Sequence, residues 1–406
     1  MGSLLTGPVV EFAGRRRVLL VAGAMFSAAW AAIACANSPA NLILARALTG
    51  FCVGVVLPSA QVYVSECAHT GVRGVVGSMP SVFMAGGILS SYLAGSWLSW
   101  DRLAVVSALF PLALTCSLWW LPESPGWLRS RGRLKEAAAS ARWLHLEPLP
   151  APDLSVFTVS SAPQPAPPPE DVPPGRAPLL LPFFLVTALL VFQQVSGVDV
   201  LVFYTVAVFR AAGFRDDRSG TILVGLFQLV ATALSLFTVD RFGRRVLLVA
   251  SGVVMSAAMF CLGGYFFLRD RNMADSLGSL PLLSQLLFVT GFSIGYGNVP
   301  FVLMGELLPS SHRSVLSSLA SAFNLGSMFV VIKTYPDLAV ALGQHGVFWM
   351  YSFFCLASCF FVVLMLPETK GKSLEEIELL FLGDVKKETA PGTEAEKKGS
   401  EEKLDE

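Results

Sequence analysis

The chain has 406 residues, of which 54% are hydrophobic and 14% charged, against about 25% charged in an ordinary soluble domain. So little polar side chain cannot cover a water-soluble globule of this size. Its 29 Lys and Arg balance 29 Asp and Glu, so no excess of either sign points to nucleic acid or to a polyanionic partner.

In chain order, ten stretches contain no Asp, Glu, Lys or Arg: 18–45, 47–65, 74–100, 103–122, 177–198, 219–239, 246–268, 276–305, 314–332 and 338–367. Each has at least 19 residues and together they make up 239, and roughly 20 apolar residues span a bilayer as a helix. Lipid leaves unpaired backbone groups no partner, so spanning segments are helices or closed barrels. The alternating ten-residue pattern of a barrel is missing here. The chain therefore reads as an all-α membrane protein with ten full spans plus a partial one, the partial helix being the N-terminal stretch that reaches Glu11, which lacks the signature of a signal peptide.

The composition divides the chain into four parts. Residues 1–122 form an N-terminal half-bundle, 123–177 a linker, 178–367 a C-terminal half-bundle and 368–406 a tail. Within the linker, Arg133–Leu144 is Ala-rich and predicts a short helix, whereas 148–178 holds 11 of the 25 prolines and reads as a spacer. Sixteen basic residues gather in the loops on one side of the spans and seven on the other, which predicts that the first side and the C-terminal tail are cytoplasmic.

The two halves repeat each other. Gly14-Arg15-Arg16 recurs as Gly243-Arg244-Arg245, Glu66 and Arg73 as Glu306 and Arg313, and Pro122-Glu123-Ser124 as Pro367-Glu368-Thr369, at offsets of 229, 240 and 245 residues. A parallel repeat about a linker implies two pseudo-symmetric half-bundles related by an axis along the membrane normal. The repeated charges all sit at one end of their spans, where guanidinium and carboxylate groups can pair bidentately. Glu–Arg bridges across the halves, drawn from Arg15, Arg16, Glu66, Arg73, Glu123 and their counterparts Arg244, Arg245, Glu306, Arg313 and Glu368, are expected to hold an inner gate shut.

A second polar set lies within the apolar spans. Gln193 and Gln194 offer both donors and acceptors for the hydroxyls of a polar ligand. Ser196-Gly197 permits local unwinding, Asp199 has no basic neighbour in its own span, and Phe203-Tyr204 can cover a ligand's apolar face or close an outer gate. Asp199 can carry a coupling proton or accept a hydroxyl hydrogen bond. Gln228, Asn298 and Asn324 add amides from three other spans, a convergence that makes a small-molecule site. The alternative for any of these amides is interhelical adhesion.

Nothing suggests covalent chemistry. The chain has no nucleotide-binding P-loop and no nucleophile elbow, so neither an enzyme nor an ATP-driven pump is expected. The seven cysteines lie in or beside spans without C-x-x-C spacing and read as buried thiols, and no cofactor or metal site is expected.

Together F-A-G-R-R at 12–16, R-A-L-T-G at 46–50, V-Y-V-S-E at 62–66, P-E-S-P at 122–125, Q-Q-V-S-G-V-D at 193–199, D-R-F-G-R-R at 240–245 and P-E-T-K-G-K-S-L-E-E-I at 367–377 resemble the sugar porters of the major facilitator superfamily. M-P-S-V-F at 79–83, V-F-Y-T-V at 202–206, G-E-L-L-P-S at 305–310 and K-T-Y-P-D-L at 333–338 look most like the facilitated trehalose transporters of arthropods. The resemblance implies a facilitative sugar carrier of the cell membrane that works by alternating access, trehalose favoured and hexoses second. It implies sugar contacts at Gln193, Gln194, Asp199, Gln228 and Asn324, and puts Ser81 where many glucose transporters have Gln. Asp199 stands for a usual Asn, Phe301 and Leu325 for usual Trp, Asn298 for a usual Pro, Gly126 for an Arg and Glu11 for an Asp. Because the family has twelve spans, the chain is expected to begin partway into the second. These departures motivate an alternative, a transport-dead sugar sensor or shortened isoform.

Overall fold

The computed structural model describes residues 2–67, 73–144, 180–213, 216–273, 277–308 and 313–368. The Pro-rich spacer, the C-terminal tail beyond Glu368 and the side chains of Arg73 and Arg313 lie outside the described residues. Described residues in regular structure are helical throughout.

The N-terminal half consists of α1 (Gly2–Ala13), α2 (Arg15–Ala34), α3 (Pro39–Cys67), α4 (Arg73–Trp97) and α5 (Trp100–Trp120). Two short helices follow, α6 (Pro125–Ser130) and α7 (Leu134–Trp143), the second agreeing with the Ala-rich expectation. Ser124 starts α6 by accepting the Trp127 N–H at 3.2 Å, with Pro125 in the first helical position.

The C-terminal half consists of α8 (Leu180–Val195), α9 (Val198–Ala212), α10 (Asp217–Phe242), α11 (Arg244–Asp270), α12 (Leu280–Ile294), α13 (Val299–Leu307) and α14 (Arg313–Met365). Among the described residues, nine segments are long and apolar enough to cross a bilayer, with α8–α9 and α12–α13 each counting as one. The last runs 51 residues, far beyond the ~20 that a bilayer needs. Gly343, at φ 72° and ψ 164°, breaks it into two helices.

The internal repeat of the sequence is visible in the packing. In the first half α2 packs between α3 and α5; in the second, α11 packs between α12 and α14. The halves meet where α1 lies against α14 and where α4 lies against α10. The continuous apolar core belongs to the C-terminal half, centred on Leu189, Leu248, Met255, Phe288 and Phe348. Large apolar side chains such as Phe12, Trp97, Phe260 and Leu364 point outward, as expected where the surrounding solvent is lipid rather than water. The cysteines divide accordingly. Cys52, Cys355 and Cys359 are buried as expected, but Cys35, Cys116 and Cys261 are exposed, and all seven are free thiols.

The interruption between α8 and α9 has a specific cause. Gly197 sits at φ 84° and ψ 14°, a left-handed conformation that only glycine adopts at little cost. A Cβ there would lie 2.7 Å from Cδ2 of Tyr351. Gly197→Ala is therefore expected to destabilise the protein by about 2–4 kcal/mol from backbone strain and overpacking combined, read as a lower melting temperature in detergent. An unchanged melting temperature would show that the break does not depend on this residue.

Candidate functional site

Two polar constellations stand out, one at the Arg-rich ends of the helices and one within the spans. At the Arg-rich end of the first half, Arg15 Nη2 donates to Glu66 Oε1 at 2.9 Å. Arg16 N–H, in the first turn of α2, donates to Glu123 Oε1 at 2.9 Å. The Arg16 guanidinium reaches the carbonyls of Leu118 and Trp119 at the end of α5, at 2.9 and 2.7 Å.

The second half repeats this arrangement. Arg244 reaches Glu306 Oε1 with Nη2 at 3.0 Å and with Nε at 3.3 Å. The N–H groups of Arg244 and Arg245 donate to the two oxygens of Glu368, each at 3.2 Å, and the Arg245 guanidinium reaches the Val363 carbonyl. In each half, then, a Glu from the P-E-[ST] turn caps the helix that begins at G-R-R, where orphan N–H groups and the positive end of the helix dipole favour a carboxylate.

Against the expected bridges across the halves, the ion pairs Arg15–Glu66 and Arg244–Glu306 each join residues of one half-bundle, while the side chains of Arg73 and Arg313 lie outside the described residues. Spacing along one chain shows which charges recur, but an intra-half pair joins residues 51 or 62 positions apart, which only helix packing reveals. Ser124 was not singled out from sequence; its hydroxyl donates to Glu66 Oε2. A Cβ at Gly126 would begin 3.7 Å from the Glu66 carboxyl carbon, so the Arg implied there by resemblance would start beside the same carboxylate. A cavity of about 400 Å³ opens next to this bracket, lined by Arg16, Arg17, Trp120, Glu123, Trp127 and Trp143 among others, and is remote from the amides within the spans.

Within the spans, three of the amides, Gln193, Gln194 and Asn324, form one hydrogen-bonded network. Gln193 Nε2 donates to the Tyr296 carbonyl at 2.6 Å. Asn324 Nδ2 donates to Gln193 Oε1 at 3.0 Å and to the Leu190 carbonyl at 2.9 Å. Gln194 Nε2 donates to Asn324 Oδ1 at 3.1 Å. In the gap between α12 and α13, Asn298 Nδ2 donates to Ser235 Oγ of α10 at 3.1 Å. These bonds tie α8 to α14 and to the broken segment between α12 and α13, and the amide side chains are nearly all buried.

Several acceptors are left over. Gln194 Oε1, Gln228 Oε1 and Asp199 Oδ2 are buried and have no hydrogen-bond partner, which is costly unless a ligand or water supplies a donor. Asp199 lies in the first turn of α9, directly after the Gly197 break. Its missing basic partner is thus offset in part by the positive end of a helix dipole, a feature that the apolar run alone conceals.

The remaining expectations fall as follows. Phe301 is half-buried and packs against the C-terminal core, and Ser81 is half-buried on α4. Phe203 is 61% exposed. Tyr204 packs against Tyr335 of α14 with 4.8 Å between ring centroids and the rings tilted by 43°, and the Tyr335 hydroxyl donates to Gln344 Oε1 at 2.9 Å. Tyr296 carried no signal in the sequence, since it contributes a backbone carbonyl, and Tyr335 was marked only as part of K-T-Y-P-D-L, with its ring contact set by packing.

Two repeated half-bundles, bracketed at one end by charges and holding buried amides with unmet acceptors at the level where helices break, define a membrane carrier of the major facilitator type. The family profile described as "Sugar (and other) transporter" matches residues 1–381. The facilitated trehalose transporter Tret1 of Apis mellifera ligustica is 36% identical over 397 residues, covering 96% of this chain and 78% of that protein. The facilitated trehalose transporter Tret1 of Culex quinquefasciatus is 37% identical over 392 residues, covering 95% and 76%. Among solved structures, a partially occluded inward-open form of the xylose transporter XylE from E. coli superimposes with a TM-score of 0.74, at 23% identity over 92% of this chain and 85% of that one. The chain belongs to the sugar transporter family, and it is a transporter rather than an enzyme.

Proposed function

We propose that this chain moves trehalose, in preference to hexoses, across the plasma membrane by alternating access, down the sugar gradient and without coupling to protons. The observation that carries the proposal is the set of buried, unpartnered acceptors Gln194 Oε1, Gln228 Oε1 and Asp199 Oδ2, together with the Gln193–Gln194–Asn324 network. Sugar hydroxyls supply the donors that these groups lack, and a hydroxyl can accept from a neighbouring amide in return. The preference for trehalose follows the two relatives named above, both described as facilitated trehalose transporters. Gln193, Gln194, Asp199, Gln228 and Asn324 hold the sugar, with Asn298, Phe301 and Ser81 shaping the cavity. Phe203 and Tyr204 close one face, while the brackets of Arg15, Arg16, Glu66 and Glu123 and of Arg244, Arg245, Glu306 and Glu368 steady the other, together with Arg73 and Arg313. The Arg-rich face and the C-terminus are cytoplasmic, following the bias of basic residues between loops.

Uptake of radiolabelled trehalose and glucose into vesicles containing this chain alone tests the reading. Trehalose uptake that saturates and exceeds glucose uptake supports it; binding without uptake supports a sugar sensor instead.

Asp199→Asn separates a hydrogen-bonding carboxylate from a proton carrier. An Asn side chain retains the acceptor oxygen that a hydroxyl needs. Uptake is expected to remain within about threefold of wild type, a change under 1 kcal/mol, and to show no response to an imposed pH gradient before or after substitution. Gradient-driven uptake that disappears in Asp199→Asn would assign a proton to this residue.

A further inference from the structure

The geometry points to Tyr92 as a latch between the half-bundles that closes the face opposite the Arg-rich ends. Tyr92 lies five residues before the end of α4, roughly 8 Å into the span at 1.5 Å per residue. Its hydroxyl donates to the Val202 carbonyl of α9 at 2.7 Å, a bond between residues 110 apart that joins the N-terminal half to the C-terminal one. The Val202 carbonyl has a second lone pair beyond the one used in its own helix, so it accepts this bond without losing the helical one.

The surroundings leave the hydroxyl one partner. Thr205 Oγ1 lies 3.5 Å from the Tyr92 hydroxyl, but the Thr205 proton is already given to the Leu201 carbonyl. The single Tyr92 proton goes to the nearer acceptor, Val202. The ring in turn rests on Gly225 of α10, where a Cβ would lie 2.9 Å from Tyr92 Cδ2 and 3.4 Å from Leu89 Cα. Tyr92 thus contacts both α9 and α10, and its seat requires the absence of a side chain at position 225.

The level of this bond along the span is what makes it a latch. Val202 follows Asp199 by three residues and precedes Phe203-Tyr204, so the bond lies between the amide cluster and the face away from the Arg-rich turns. For a ligand to reach the amides from that face, α4 must move away from α9 and α10 here. The Tyr92–Val202 bond therefore exists only while that face is closed, and its free energy biases the equilibrium between the two orientations. A bond of ordinary net strength shifts such an equilibrium roughly two- to tenfold.

The test uses the full chain in oriented vesicles and compares wild type, Tyr92→Phe and Gly225→Ala. Tyr92→Phe retains the ring and removes only the hydroxyl. The trehalose concentration for half-maximal flux is expected to fall two- to tenfold on the face opposite the Arg-rich turns and to rise on the Arg-rich face. Gly225→Ala displaces the ring and is expected to shift the same ratio in the same direction, while the double variant exceeds neither single one by the product of the two. A structural effect alone would lower maximal flux and leave the ratio of the two half-saturation values unchanged, and that outcome would overturn the proposal. The kinetic arm rests on the proposed carrier function, so amide hydrogen exchange on the sugar-free protein supplies an independent arm. Tyr92→Phe should speed exchange two- to tenfold in the last three turns of α4 and along α9, and should leave α2 and α11 unchanged. Equal exchange in both proteins overturns the latch even if the chain carries no trehalose.

Discussion

Gln193→Ala is expected to weaken sugar binding by about 1–3 kcal/mol, a loss of roughly 5- to 150-fold in affinity, and also to lower the melting temperature. The double effect follows from its two bonds. The amide nitrogen serves the Tyr296 carbonyl in the gap between α12 and α13, and the amide oxygen orients Asn324. Alanine removes the proposed contact with sugar and also leaves a buried carbonyl and a buried amide short of a partner. Gln194→Ala makes an internal control, because Gln194 gives one bond to Asn324 and presents an unpartnered oxygen. It should reduce affinity by a similar factor with a smaller change in melting temperature. Calorimetric titration with trehalose, alongside thermal denaturation of the same preparations, measures both quantities. Unchanged affinity in both variants would remove this pair from the binding site.

Arg244→Ala and Glu306→Gln should each destabilise the C-terminal half by about 1.5–3 kcal/mol, because each removes a charge-assisted pair from a largely buried position. The side chains are 14% and 20% exposed, so solvent moderates the loss and the lower part of that range is expected. Since the pair is formed within one half, the two single effects should be non-additive, with a coupling of at least about 1 kcal/mol in a double-mutant cycle. Arg15→Ala combined with Arg244→Ala should instead add, because those residues belong to brackets in different halves. Coupling between Arg15 and Arg244 with none between Arg244 and Glu306 would restore a bridge across the halves and refute the intra-half bracket. Denaturant titration in detergent micelles provides the four stabilities for each cycle.

Much of this molecule is legible in one dimension because the bilayer is a demanding solvent. A run such as 246–268 without a charge has few physical options other than a spanning helix. The recurrence of G-R-R, Glu and P-E in the same order exposes the twofold architecture along the chain itself. The amides Gln193, Gln194 and Asn324 are conspicuous for the same reason, since polar side chains in hydrocarbon need a purpose.

Pairing could not be read in this way. The sequence showed Glu66 and Arg73, seven positions apart, recurring as Glu306 and Arg313, and so drew attention to neighbours along the chain, whereas the described bonds run from Glu66 to Arg15 and from Glu306 to Arg244. Composition likewise made Asp199 an acid without a partner, while the fold places it in the first turn of a new helix begun by the left-handed Gly197. Tyr92 has no distinguishing neighbour in its own segment and gains its role from a carbonyl 110 residues away. Helices and their repeat depend on local chemistry and on the solvent, both written along the chain. Which charge meets which, and which hydroxyl crosses between the halves, depends on helix packing, which brings together residues that the sequence leaves far apart.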